Sequence, residues 1–257
     1  MRTYYSSIAE VYDASRGYPP HVLSEVFELI LDDRDLAAVR IVDIGAGTGL
    51  LAVPLAEQVA CVVAVDPSEE MLGVLRRKAD ASGATNIETM RGVAEALPVP
   101  ASSFDIAITS HVLHLTDRER ADQEIDRVLN DEGAHVDCRC NWPKHRQDIE
   151  AMWLAAKAAH LSSSRGRRHV VQRSSERAPD YAVRWRLDET VADRLWAYRH
   201  RSHGSCWGME QHTFDAVFHD FSEAVLKEFG ASSTPLSSEC IFEVFVRPKS
   251  ALRAART

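Results

Sequence analysis

The chain of 257 residues has no apolar run of the about 18 residues that a membrane-spanning helix needs. Cysteine is scarce: there are five, scattered, and no disulfide framework can be read from them. Cys138 and Cys140 are two apart rather than three, so the redox and zinc spacings are not met, and free thiols are expected. Positive charge is in deficit. Thirty Lys and Arg face 38 Asp and Glu, a net charge of −8, which argues against a general binder of nucleic acid or membrane surfaces. The first residues, Met1 to Ser6, contain no apolar signal core. With few cysteines, a cytoplasmic protein is the expectation. No internal repeat is visible. What remains is ordinary globular composition, 45% hydrophobic and 26% charged, at a length that suits one large α/β domain or a core with a modest insertion.

The stretch Arg40 to Leu50, Arg-Ile-Val-Asp-Ile-Gly-Ala-Gly-Thr-Gly-Leu, organises the rest. Ile41, Val42 and Ile44 read as a strand buried on both faces, as in a parallel sheet. Gly45, Ala46, Gly47 and Gly49 form a bend that can approach a ligand closely. A helix from about Leu50 to Gln58 is expected to aim its free N–H groups at that ligand. The dinucleotide fingerprint places its third glycine at the sixth position, which here is Leu50. Asp43, just before the bend, would repel a pyrophosphate and attract an ammonium group. A second buried strand, Cys61 to Val65, ends at Asp66, where a carboxylate can accept both hydrogen bonds of a ribose diol. Pro67 and Ser68 then open a helix, Ser68 as cap or first-turn residue and Met71 on its first turn.

These features together resemble motif I and the following strand of class I S-adenosylmethionine-dependent methyltransferases, in the small-molecule, type 11-like branch. Further segments are similar to that family. The start, Tyr4 to Tyr18, resembles a lid segment, with Tyr12 and Arg16 at matching positions and Arg16 able to pair with the cofactor's carboxylate. A plain packing helix is the alternative. Arg91 to Pro98 resembles the segment that borders the adenine, with Ala94 and Glu95 as candidates. Val93 stands where relatives carry Asp, which removes the usual acceptor for the adenine amino group; backbone around Ala94, or the Glu95 carboxylate, could substitute. Phe104 to Ser110 reads as a fourth buried strand and leads into His111-Val-Leu-His114, similar to motif IV. Ser110, His111 and His114 are site candidates, and either histidine could take a proton from an attacking hydroxyl or amine. Packing is the competing role for both.

Beyond the fifth strand, Ala134 to Cys140, the strand–helix rhythm breaks. Residues 141–210 are expected to form a helical cap. Its stretch 161–201 holds ten arginines and five acids, with Tyr181, Trp185, Trp196 and Tyr198 among them, which would suit an aromatic or anionic acceptor. Surface helices with snorkelling arginines are the alternative. His200, His203, Cys206 and His212 lack the glutamate of the zinc-protease pattern, and no metal is expected. Thr213 to Phe221 reads as a short helix, and Ala224 to Phe229 with Ile241 to Val246 as the closing strand pair.

The resemblance implies an α/β, Rossmann-like, seven-stranded, mostly parallel sheet of order 3-2-1-4-5-7-6, with the last strand antiparallel. The expected division is a lid and helices over 1–35, a cofactor-binding core over 36–140 and 211–247, the cap over 141–210, and a frayed tail over 248–257. The implied cofactor is S-adenosyl-L-methionine, and the implied reaction is direct methyl transfer to O, N or C of a small molecule. The Asn/Asp-Pro-Pro-Tyr/Phe tetrapeptide of amino-methylating DNA and protein enzymes is absent after strand four. An RNA- or protein-directed methyltransferase, or a non-methylating binder of S-adenosylmethionine or a nicotinamide, stays open, as does the oligomeric state.

Overall fold

The computed structural model describes residues 2–31, 34–161 and 177–250, with side chains from residue 5 onward. The stretch 162–176, which holds four of the ten arginines, lies outside the described residues, as do Asp32–Asp33 and 251–257 of the expected tail. The chain begins with α1 (Arg2–Ile8), a 3-10 turn, α2 (Tyr12–Arg16) and α3 (Pro20–Leu31). Strands and helices then alternate: β1 (Arg40–Ile44), α4 (Ala52–Ala56), β2 (Cys61–Asp66), α5 (Glu69–Ser82), β3 (Ile87–Arg91), β4 (Phe104–Ser110), α6 (Arg118–Val128) and β5 (Leu129–Asn141). The rest is α7 (Lys144–His160), β6 (Tyr181–Thr190), α8 (Val191–Arg199), α9 (Gln211–Phe229) and β7 (Pro235–Pro248).

The seven strands form one sheet of order β3-β2-β1-β4-β5-β7-β6. β1 pairs in parallel with β2 and β4, β2 with β3, and β4 with β5; β7 and β6 are antiparallel. Val42, Ile44, Val63, Val65 and Ala107 pack on one face against Ala121, Ile125 and Val128 of α6, a buried apolar core. Strands covered on both faces are rich in apolar, β-branched residues, as β1 and β2 are.

Caps set the helices that matter for the site. The Ser68 hydroxyl accepts the N–H of Met71 at 3.2 Å and starts α5; Gly83, at φ 74°, ends it. Asp117 caps α6 through the N–H of Arg120. The helix expected from Leu50 to Gln58 is shorter. The glycine bend uses the chain through Leu51, and α4 holds only Ala52–Ala56.

The larger corrections lie after β5. Ala224–Phe229 is not a strand but the last third of α9, because Phe214, Val217, Phe221 and Val225 make one continuous apolar stripe at helical spacing. The strand that partners β7 is β6, inside the stretch expected to be a helical cap. Val183 and Trp185 are buried while Arg184 and Arg186 are exposed, the period-two pattern of a strand. The chain divides into two compact units. One comprises 1–140, 177–183 and 242–257, the other 141–176 and 184–241, so residues 211–241 fall outside the unit expected to hold them.

The second unit has its own core around Trp153, Tyr198, Phe214 and Phe221. It also buries one carboxylate, Glu189. Glu189 accepts from Arg146 Nε and Nη2 at 2.9 and 2.7 Å and from His145 Nε2 at 2.6 Å, and it pairs with Arg194 Nε at 2.9 Å. Burial alone would raise its pKa, but these donors outweigh that and hold it at about 2. No helix among the described residues is long and apolar enough to cross a membrane.

Candidate cofactor and acceptor site

The sheet order reverses between β1 and β4, the crevice where α/β sheets bind ligands. A cavity of about 150 Å³ opens there, at the carboxyl ends of β1, β2 and β4. It is lined by Tyr12, Gly45, Gly47, Asp66, Pro67, Met71, Ala94, Glu95, Ser110 and His111, ten of the fifteen site residues expected from sequence. Tyr5, Val65, Ser68, Gly92, Val93, Val112, Leu115 and Thr116 complete the wall.

The glycine bend is bonded to the end of β2. The N–H groups of Gly45 and Ala46 both donate to the carbonyl of Val65, at 2.8 and 3.1 Å. Gly47 has φ 56° and nothing within 4 Å of where a Cβ would stand, so its bare backbone faces open space. Gly49 serves packing instead: a Cβ there would lie 2.6 Å from Leu75 Cγ, and it does not line the cavity. Ala46 is likewise absent from the wall.

Asp66 sits where the two strands and the bend meet. Its Oδ2 accepts the N–H of Gly47 at 2.9 Å and its Oδ1 accepts the N–H of Ser68 at 2.8 Å. Each oxygen keeps a further lone pair, so the carboxylate can still accept two hydroxyls from the cavity. Burial raises its pKa, and the bonds from Ser68 and Gly47 oppose that rise. Asp43 is 2% exposed and lies outside the cavity wall. Burial first, and then the charge of Asp66, push its pKa up to about 7 against one backbone bond from Ala52.

The amino-terminal segment is tied down beside the bend. The Thr48 hydroxyl donates to Asp13 Oδ1 at 2.5 Å, and Lys78 Nζ donates to Asp13 Oδ2 at 2.7 Å and to the Thr48 carbonyl at 3.0 Å. The hydroxyls of Ser6 and Ser68 are 2.9 Å apart. This places the rings of Tyr5 and Tyr12, 6.4 Å between centroids, on the cavity. The Tyr5 phenol is kept neutral, pushed up to about 12 chiefly by burial and then by Tyr12. Arg16 lies over the Tyr12 ring at 5.8 Å rather than in the cavity wall.

Met71, Val93, Ala94 and Leu115 give the cavity an apolar flank. Glu95 Oε1 accepts the N–H of Asp117 at 2.9 Å, which ties the segment after β3 to the start of α6. The two histidines differ in their placement. His114 is exposed and outside the wall. His111 lines the cavity, but its Nε2 accepts the N–H of Cys140 at 2.9 Å. Burial, and then the charges of Arg16, His114 and Arg139, hold its pKa down at about 3.

The donor set fits a cationic nucleoside such as S-adenosylmethionine. There is a carboxylate for a diol, an apolar flank for a base, and two aromatic rings that can face a sulfonium. Gly47 leaves bare backbone on the wall.

Comparison with known proteins agrees with this chemistry. Residues 41–133 match the methyltransferase domain family. An uncharacterized methyltransferase of Mycobacterium tuberculosis H37Rv is 35% identical over 134 residues, 52% of this chain and 50% of that one. A ubiquinone biosynthesis O-methyltransferase of Rhizobium rhizogenes is 40% identical over 87 residues, 34% of this chain and 35% of the relative. The chain thus spans about half the length, or less, of the curated relatives it matches. The solved structure of YcgJ from Bacillus subtilis aligns over 89% of this chain and 97% of that one, with TM-score 0.53 and 20% identity. One from Anaeromyxobacter dehalogenans aligns over 91% and 97%, with TM-score 0.61 and 17% identity. Residues 41–133 thus match a methyltransferase domain, and the likeness to the two solved methyltransferase structures is one of fold.

Proposed function

We propose that the protein transfers a methyl group from S-adenosylmethionine to an oxygen, nitrogen or carbon of a small molecule. The observation that carries this reading is Asp66, clamped by the N–H groups of Gly47 and Ser68 and still open to a ribose diol. S-Adenosylmethionine supplies a methyl carbon already activated by its sulfonium. The chain's own work is to bind, align and exclude water. Asp66 would hold the ribose, Met71 and Val93 the base, and the Gly47 backbone the amino-acid end. Tyr5 and Tyr12, tied down through Ser6 and Asp13, would close over the ligand as a lid. Ser110 and His111 would border the acceptor. The Rhizobium relative's name favours oxygen as the methylated atom.

Incubation with radiolabelled S-adenosylmethionine tests the acceptor class. A metabolite extract should gain label while tRNA and bulk protein stay unlabelled. Label in tRNA or protein alone would replace this reading with a macromolecular one.

A further inference from the structure

Two pieces of the cavity wall, the glycine bend and the turn after β4, meet at a single close contact. β1 and β4 run side by side, with Ile44 beside Thr109, so both pieces leave the sheet at the same end. His111, at φ 52°, turns the chain after Ser110, and the Cys140 N–H is bonded to its Nε2 at 2.9 Å. Val112 then rests on the bend. A Cβ on Gly45 would lie 2.5 Å from Val112 Cγ2, 2.9 Å from its Cβ and 3.4 Å from its Cγ1. Both sides of this contact are anchored. The Gly45 N–H donates to the Val65 carbonyl at 2.8 Å. The Val112 carbonyl accepts the N–H of Leu115 at 2.9 Å, in the 3-10 turn Leu113–Leu115, and the Asp117 N–H just beyond is held by Glu95. The segment Ser110–Thr116, five of whose residues line the cavity, is thus braced by Gly45 near its start and by Glu95 just past its end.

We propose that Val112 is a positioning residue for methyl transfer. Its contact with Gly45 sets the distance between the bend that holds the donor and the turn that borders the acceptor. The proposal rests on the methyl-transfer reading. Gly45 has no Cβ, so the side chain of Val112 reaches the main chain of the bend itself. An atom added at Gly45 has to push the turn outward, because the bend is fixed to β2 through Val65. Opening 2.5 Å to ordinary van der Waals contact moves the turn by about 1 Å. Methyl transfer is sensitive to that scale: reacting atoms must stand about 3–3.5 Å apart and in line, and a 1 Å misplacement can cost roughly 100-fold in rate. Truncating Val112 removes both γ carbons and leaves the turn without its brace. The bonds that fix Asp66, from the N–H groups of Gly47 and Ser68, do not involve Val112 and stay in place. Loss of the brace therefore falls on alignment rather than on donor binding.

Two experiments on the full-length protein test this. The first compares Val112→Ala with Val112→Ile, which keeps both γ carbons. Methyl transfer into the metabolite extract is measured at saturating S-adenosylmethionine, and affinity for S-adenosylhomocysteine by calorimetry. Val112→Ala should lower transfer roughly tenfold or more while affinity changes less than about threefold, and Val112→Ile should restore most of the transfer. Equal losses in transfer and affinity, or no loss of transfer, overturn the proposal. The second experiment needs no acceptor, so it separates failure of the contact from failure of the methyl-transfer reading, which absence of label with the wild type would signal. Gly45→Ala, Val112→Ala and the double variant are compared by thermal melting. Gly45→Ala should melt below wild type, from the contact with Val112 and from a Cβ at φ 75°. Val112→Ala alone should not raise the melting temperature, yet added to Gly45→Ala it should raise it by about 2 °C or more, because it clears the space. Additive losses overturn the proposal. Where Gly45→Ala does not fold, the comparison of Val112→Ala with Val112→Ile decides.

Discussion

Replacing Asp66 tests the cofactor site at its most constrained atom. In Asp66→Asn one oxygen survives and the other becomes an NH₂, which cannot accept. The N–H groups of Gly47 and Ser68 point at separate oxygens, so one of them loses its acceptor whichever way the amide turns. On the ligand side, one of two diol hydroxyls loses its acceptor as well. Hydrogen bonds to a charged group contribute about 1.5–3 kcal/mol each, so the loss of one weakens binding roughly 10- to 150-fold. Asp66→Ala removes both and should weaken it at least as much. Calorimetric titration with S-adenosylhomocysteine measures this, with thermal melting as a check that the variants stay folded. The raised pKa of Asp66 adds a direction: affinity should fall on acidification, as the buried carboxyl takes up a proton. A folded Asp66→Asn protein whose affinity changes less than threefold would remove Asp66 from the site.

The raised pKa of Asp43, from 3.8 to about 7, means that the folded state holds a proton which the unfolded chain releases. The stability that proton supplies is complete below 3.8 and lost as pH rises through 7, a cost on the order of 4 kcal/mol once Asp43 is ionised. Asp43→Asn, still able to accept from Ala52, should therefore raise the melting temperature at pH 8 by more than twice its effect at pH 5; equal shifts would contradict the burial argument. Glu189→Gln leaves Arg146 and Arg194 buried without their carboxylate and should destabilise the second unit by about 3–5 kcal/mol. All five tryptophans, Trp142 to Trp207, lie in that unit, so their fluorescence in a denaturant titration reads it alone. The wild-type contribution of Glu189 is fully present above pH 4.5 and should fade as pH falls through about 2. Gly49→Ala forces both a positive φ and a 2.6 Å contact with Leu75, and should cost about 2 kcal/mol or more in chemical denaturation. Gly47→Ala, with only the positive φ to bear, should cost less.

The first 140 residues were legible because their strands are buried on both faces. Ile41–Ile44, Cys61–Asp66 and Phe104–Ser110 are mostly apolar and buried, and Ser68 and Asp117 cap the helices that follow them. The second half defeated the same reading for a physical reason. In β6 the exposed Arg184 and Arg186 alternate with the buried Val183 and Trp185, a pattern with no apolar run to mark it. Ala224–Phe229 fits a short strand as well as a further helical turn, and only the burial of Val225 in line with Phe214, Val217 and Phe221 decides for α9. Among the residues lining the cavity, Asp66 and Gly47 are readable from the glycine bend and the strand end, and Met71 from the resemblance. Asp43, Gly49 and Arg16 resemble the motif positions, yet they do not line the cavity, and spacing cannot tell a wall from what lies behind it. Tyr5, Leu115 and Thr116 lie within or just beyond the segments that carry the resemblance, and only their approach to the cavity in space singles them out.

The claim on which the rest depends is that the bend after β1 and the carboxylate after β2 receive a cationic thioether nucleoside. Side-by-side calorimetry of the wild-type protein with S-adenosylmethionine, S-adenosylhomocysteine and NAD(H) measures it directly. The account predicts saturable one-to-one binding of the first two and none of the nicotinamide. Binding of NAD(H), with no heat from either sulfur nucleoside, would contradict it.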